Sequence, residues 1–373
     1  MIVTASATAF PGEPVTTEEL LSATGHRLTD SFRKSVAHMG VGRRFVSVRR
    51  YRDYLRNAVP RDLTHTTTDL GREAALSLLE TTGTAENVDA VIAVTNTPAR
   101  PMPGLAFDLM ADLHGLVRRD AHVFNITYSG CSGFMKSMEL ATSLIESGRC
   151  RTVLLVVSEV HTAYWPPITQ QVDSYRNVHR SGSADDLART HQATAALLFG
   201  DGAVAFLVSA DGAGLEFGNF VHLTNDRKND AELLRMNEGG SASPATFAMP
   251  LYEMDKKVAV RGLDYVRRSI AALPDAMADR GQSDTGAGEI LIHTGSWKIV
   301  SRICRDLEID EADERVVRSF EVLRDYGNLS SVAIAVLVHD LLQLERVKAG
   351  LVVSFGVGFS STSGAFTRRS STH

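Results

Sequence analysis

Apolar positions along this chain fall into two alternating kinds of segment. Short runs dominated by Val, Ile, Leu and Ala occupy 90–95, 152–158, 203–208, 289–293 and 350–355, and predict buried strands. Between them, apolar residues recur at helical spacing over 69–81, 104–113, 134–147, 264–278, 297–307 and 330–342, predicting helices with one buried stripe. Strands alternating with helices give an α/β chain with mostly parallel sheets. Two stretches break the rhythm. Segment 161–191 carries Tyr164, Trp165, Pro166 and Pro167 and then turns polar and charged, so it reads as a long loop or cap. Around Gly239, Gly240 and Ser241 a flexible connector is expected, and the basic, Ser/Thr-rich tail 367–373 is expected to fray.

Laid over each other, the two halves repeat a spacing. Val94 lies 37 residues before Cys131, and His293 lies 35 residues before Asn328. Cys131 and Asn328 each follow a Tyr and a Gly and open an apolar helix. The next strands begin 22 and 23 residues later, at Val153 and Leu351. Identity between the halves is low, so the repeat is one of pattern. A duplicated unit, expected as 1–210 (with an insert over 161–192) and 211–373, brings two helix starts to a pseudo-twofold axis. Cys131, His293 and Asn328 are expected to meet there.

Cys131 stands in Ser129-Gly130-Cys131-Ser132-Gly133, where a strand turns into a helix. A helix N-terminus favours thiolate, and flanking glycines leave amides free to hold an oxyanion. Alone, such a cysteine is more often a small buried hydrophobe. Leu198-Phe199-Gly200-Asp201-Gly202-Ala203 reads as a tight hairpin-like turn with an Asx-type hydrogen bond. His293 ends an apolar strand, where a core imidazole is the ordinary reading, and Asn328 alone is a good N-cap.

Composition narrows the function classes. Net charge is -5, with basic residues scattered, which argues against nucleic acid as a partner. Three cysteines without a CxxC suggest neither a disulfide framework nor a metal site. No apolar run reaches the roughly 18 residues of a membrane span. The start, Met1-Ile2-Val3-Thr4-Ala5, lacks the features of a signal peptide, so a cytoplasmic protein is expected.

In this order and spacing, these segments resemble the condensing enzymes of the thiolase superfamily. The nearest likeness is to the ketoacyl-acyl-carrier-protein synthase III group and its chalcone-synthase-like relatives. It runs from Gly40-Val41-Gly42-Arg43-Arg44 to Phe355-Gly356-Val357-Gly358-Phe359. The resemblance implies a thiolase fold, with duplicated βαβαβαββ halves in a layered αβαβα arrangement. It implies a catalytic triad of Cys131, His293 and Asn328, with Cys131 holding the acyl group covalently. One oxyanion hole would use the amides of Cys131 and Val357; His293 and Asn328 would form a second, for the enolate of a malonyl-type extender. It also implies a homodimer, acyl-coenzyme A or acyl-carrier-protein thioesters as substrates, and no metal or tightly bound cofactor. Met102, Trp297 and Phe359 are the pocket residues it suggests, Met102 aligning with a residue that reaches the partner's acyl pocket.

The departures bear on the substrate. His293 is followed by Thr294-Gly295-Ser296 where the group has Gln-Ala-Asn. The Trp that stacks on coenzyme A adenine is missing around Ser31-Phe32-Arg33-Lys34-Ser35, and Ala193 stands nearest its Arg partner. This favours a carrier-protein-tethered donor or acceptor in specialised polyketide or related metabolism. The alternative is an acyltransferase that passes the acyl group to a hydroxyl or amine, with His293 as base. A papain-type hydrolase lacks its Cys-Gly-Ser-Cys-Trp signature here. A non-catalytic partner subunit is disfavoured by the retained cysteine. Cys150 and Cys304 read as structural.

Overall fold

The computed structural model describes residues 1–24, 29–168, 184–236, 241, 252–255, 257–274, 288–356 and 359–370. Among them, nine strands form one sheet: β1 (Ile2–Ala9), β2 (Ala90–Thr95), β3 (His122–Thr127), β4 (Thr152–Val160), β5 (Asp201–Ser209), β6 (Gly214–Thr224), β7 (Glu289–Ile292), β8 (Ala349–Gly356) and β9 (Ser360–Arg369). Their order is β7-β8-β9-β6-β1-β5-β4-β2-β3. β2 is parallel to β3 and β4, and β7 to β8; the remaining pairs are antiparallel. Reading outward from the β1–β6 junction, β1-β5-β4-β2 matches β6-β9-β8-β7 in order and sense. The repeat of spacing is thus also a repeat of topology.

Helices complete the layers: α1 (Thr67–Thr82), α2 (Leu105–Asp112), α3 (Gly133–Glu146), α4 (Ala184–Leu198), α5 (Val258–Ala271), α6 (Trp297–Asp306), α7 (Val317–Tyr326) and α8 (Ser331–Leu342). Val153, Leu155 and Val157 face α3 and α8, while Leu154 and Val156 face α1 and α2. Both faces of β4 are therefore apolar, which is why the strand reads as a continuous hydrophobic run. α8 is buried almost all round from Ser331 to Val338, as an internal helix must be. On the far side, α5 and α6 cover β7 and β8 through Val266, Val300, Ile303 and Cys304. The result is an αβαβα stack with α3 and α8 at its centre.

Several expectations are corrected. Segment 161–191 is not all loop: residues 161–164 form a 3-10 turn, and α4 begins at Ala184, its apolar Ala193, Ala196 and Leu197 packing against Phe32 and Trp165. Residues 169–183 of that segment, and Gly239 and Gly240 of the connector, lie outside the described residues. The helix expected over 264–278 starts earlier, at Val258, and its expected end also lies outside them. The tail is tied down as far as Arg369, because β9 pairs with β8 and β6 and the Arg368 guanidinium donates to the carbonyls of Leu341 and Leu344. Asp201 makes no Asx turn. Its buried carboxylate accepts from the Ser47 amide (2.6 Å) and from the amide and hydroxyl of Thr162, joining three segments.

Candidate active site

Cys131 lies in a 3-10 turn, Gly130–Ser132, that feeds directly into α3. Gly130 has φ +61, a conformation that costs a side-chain-bearing residue but not glycine. Asn96, just past β2, clamps this turn from both sides. Its Oδ1 accepts from the Gly130 amide (2.7 Å) and its Nδ2 donates to the Gly130 carbonyl (3.2 Å). Glu159 in turn orients Asn96. The carboxylate is fully buried at the end of β4 and accepts from Asn96 N (2.9 Å) and Asn96 Nδ2 (2.6 Å). It also accepts from the hydroxyls of Thr97 (2.8 Å) and Ser331 (2.5 Å). One carboxylate therefore ties the Cys131 turn to the start of α8. Sequence reading missed this residue, although an acid near the end of an apolar run was a visible signal.

Glu159→Gln tests that role. Its amide N–H would face a donor of Asn96 whichever way it turned, so a loss of about 1–3 kcal/mol is expected from thermal unfolding. Acyl loading of Cys131 should slow with it. A variant with wild-type stability and loading would remove Glu159 from the positioning of the turn.

α8 brings the second half to the cysteine. Ser330, at its N-cap, has φ +54, an uncommon conformation for a non-glycine residue, and its Oγ stands 3.6 Å from Cys131 Sγ. The Ser330 amide donates to Asn328 Oδ1 (2.8 Å), and Asn328 Nδ2 donates to the Gly295 carbonyl (3.2 Å), two residues beyond His293. Asn328 is thus a bridge between the α8 start and the loop after β7 rather than an N-cap. His293 is buried, its ring edge-on to Phe355 (6.0 Å), and its Nδ1 has no partner among the described residues. β8 closes over the site from above. A side chain at Gly356 would place its Cβ 2.4 Å from the Cys131 amide nitrogen, so only glycine leaves that amide uncovered. Val357, the other expected oxyanion donor, lies outside the described residues.

A cavity of about 110 Å³ opens beside the cysteine. Trp165, Ala195, Phe199 and Leu234 supply apolar wall, and His161 lines it as well. The three expected pocket residues do not line it. Met102 is 82% exposed, Trp297 is 40% exposed, and Phe359 is buried edge-on against Tyr265 (5.3 Å). Ala193, on α4, is buried in the core. Cys150 and Cys304 are both buried in apolar clusters, as structural residues.

Electrostatics correct the expectation of a ready thiolate. Burial pushes the Cys131 thiol up to about 12, helped by the nearby Glu159 charge and opposed by the Ser330 hydroxyl. Burial pulls His293 down to about 3. The resting pair is then a neutral thiol and a neutral imidazole, desolvation having outweighed the helix N-terminus. Iodoacetamide alkylation of Cys131 should accordingly rise about tenfold per pH unit from pH ~7 to ~10 without levelling. A plateau near neutrality, read from inactivation rates, would indicate a preformed thiolate.

Among the described residues, no group of three or more His, Cys, Asp or Glu side chains is arranged to hold a metal ion. None of the described helices is long and apolar enough to cross a membrane.

Comparison with known proteins agrees with this architecture. Residues 124–169 match the family described as 3-oxoacyl-[acyl-carrier-protein (ACP)] synthase III, and residues 285–368 match its C-terminal family. The beta-ketoacyl-[acyl-carrier-protein] synthase III of Roseiflexus castenholzii is 27% identical over 283 residues, covering 74% of this chain and 75% of the relative. A crystal structure of a 3-oxoacyl-(acyl-carrier-protein) synthase III superposes with a TM-score of 0.73 at 23% identity, covering 99% of both chains. The C-terminal type III polyketide synthase domain of a Dictyostelium protein superposes with a TM-score of 0.79 at 17% identity, over 98% of this chain and 99% of that one, and shares the fold. These similarities support a thiolase-superfamily condensing enzyme like those of the ketoacyl-acyl-carrier-protein synthase III group.

Proposed function

We propose that this protein takes an acyl group from a thioester onto Cys131 and condenses it with a malonyl-type thioester. The observation that carries the reading is the chain of contacts from Cys131 Sγ through Ser330 and Asn328 to the loop bearing His293. In the first step sulfur attacks the acyl carbonyl, the Cys131 proton passes to the departing thiol, and the developing oxyanion meets the Cys131 amide beneath Gly356. In the second, the bond to the malonyl carboxylate breaks and carbon dioxide leaves. The electron pair becomes an enolate, held by a neutral His293 N–H and by the Asn328 Nδ2 hydrogen not engaged by Gly295. The enolate carbon attacks the acyl-Cys131 carbonyl, the C–S bond breaks, and a β-ketoacyl thioester and the Cys131 thiolate result, the thiolate taking a proton from solvent to regenerate the thiol.

The carrier is a protein-bound thioester in this reading, because the group's adenine-stacking Trp and Arg find no counterpart around residues 31–35 and at Ala193. Specialised polyketide or fatty-acyl metabolism is the setting such a carrier suits. A homodimer is part of the proposal, the exposed Met102 and Phe107 suiting an interface. The test is intact-protein mass spectrometry with a panel of acyl thioesters, followed by malonyl thioester. Discharge of the Cys131 adduct to a β-keto product with release of carbon dioxide is the expected result. An adduct that persists until an alcohol or amine is supplied would make the enzyme an acyltransferase instead.

A further inference from the structure

His161 takes no part in that chemistry, yet it shares the cavity with Cys131. Its side chain is stacked on Phe199 (ring centroids 4.5 Å) and on Trp165 (6.5 Å), and the residue is only 3% exposed. Neither ring nitrogen has a hydrogen-bond partner among the described residues. Asn96 and Ser330, on the same cavity, are both hydrogen-bonded within the protein. A buried imidazole left unpaired loses the water bonds it had in the unfolded chain, a cost that a bound partner group restores.

The surroundings restrict that partner. No Lys or Arg is among the described residues lining the cavity, and burial holds the second histidine there, His191, towards its neutral form, so a carboxylate or phosphate on the acyl chain would be buried without a counter-charge. Burial pulls His161 down to about 3, so the ring is neutral near pH ~7 and carries one N–H and one lone pair. Glu159 decides which nitrogen holds the proton. Its carboxylate oxygens, which accept from the Asn96, Thr97 and Ser331 donors, stand 3.7 Å from Nε2 at the nearest. An acceptor on that side favours the proton on Nε2 and leaves the lone pair on Nδ1, which requires a donor. A hydroxyl is a neutral donor compatible with apolar walls; a ketone oxygen is not a donor at all.

We propose that His161 is a specificity-determining residue whose Nδ1 accepts a hydrogen bond from a hydroxyl on the acyl chain held by Cys131, so that hydroxyacyl thioesters are the preferred donors. This rests on the acyl-Cys131 reading above. The experiment compares hexanoyl, 3-hydroxyhexanoyl, 5-hydroxyhexanoyl and 3-oxohexanoyl thioesters, following the Cys131 adduct over time by intact-protein mass spectrometry. The wild type should load one of the hydroxylated chains about tenfold or more faster than the hexanoyl and 3-oxo chains. His161→Leu should abolish or reverse that ratio while still loading hexanoyl, and His161→Gln, which keeps an acceptor, should retain part of it. If His161→Leu does not fold, the wild-type ratio decides by itself. Hexanoyl loading as fast as both hydroxylated chains overturns this inference and leaves acyl-Cys131 chemistry standing. No adduct from any thioester overturns that chemistry, and this inference with it.

Discussion

Cys131→Ala should show no acyl adduct with any thioester, while remaining folded. The change removes one sulfur from a half-buried position at the head of α3, and the clamp on the turn uses only the Gly130 backbone, Asn96 and Glu159. Thermal unfolding should therefore shift little. Loss of loading should exceed about 10⁴-fold, because no second nucleophile stands in its place. Ser330, the nearest hydroxyl at 3.6 Å, has no His, Asp or Glu hydrogen-bonded to it among the described residues, and an unactivated hydroxyl is a poor nucleophile. Cys150 and Cys304 are buried in the core. Decarboxylation of malonyl thioester without condensation should survive in this variant, since the groups assigned to the enolate are untouched. A Cys131→Ala protein that still acylates at the wild-type rate would move the nucleophile elsewhere.

Asn328→Asp should separate the two half-reactions. The carboxylate keeps an oxygen to accept from the Ser330 amide, so the start of α8 beside Cys131 is preserved. It loses both Nδ2 hydrogens and puts negative charge where an enolate oxygen would form. Condensation should fall by about 10²- to 10³-fold, the usual cost of one oxyanion donor, while single-turnover loading of Cys131 changes by only a few-fold. Asn328→Ala is the companion variant, because Asp also sets a carboxylate against the Gly295 carbonyl that Asn328 now donates to. Equal losses in loading and condensation, in both variants, would argue that Asn328 supports the fold of the site rather than the enolate.

Much of the architecture was legible along the chain. The run at 90–95 is the observed strand to the residue, and 152–158, 203–208 and 350–355 are each found within slightly longer strands. These runs are buried on both faces, so their apolar character owes little to register. β9 was illegible for the opposite reason. Ser360, Ser361, Thr362 and Ser363 are buried, but hydroxyl pairs such as Ser269–Ser361 (2.9 Å) and Ser132–Ser360 (2.9 Å) satisfy them, and nothing in a polar run announces that. α4 was hidden by the charged residues at its beginning, although its last turns are apolar.

By itself the sequence determined the alternation of strand and helix, the duplicated spacing, and the candidate trio Cys131, His293 and Asn328. These depend on periodicity and on residue type, which are properties of neighbours along the chain. Only the tertiary structure decided which buried polar groups are partnered. Glu159 collects donors from Asn96, Thr97 and from Ser331, 172 positions away, whereas His161, two residues from Glu159, has none among the described residues. Hydrogen bonding is settled by distances between segments brought together in space, and no spacing along the chain carries that information.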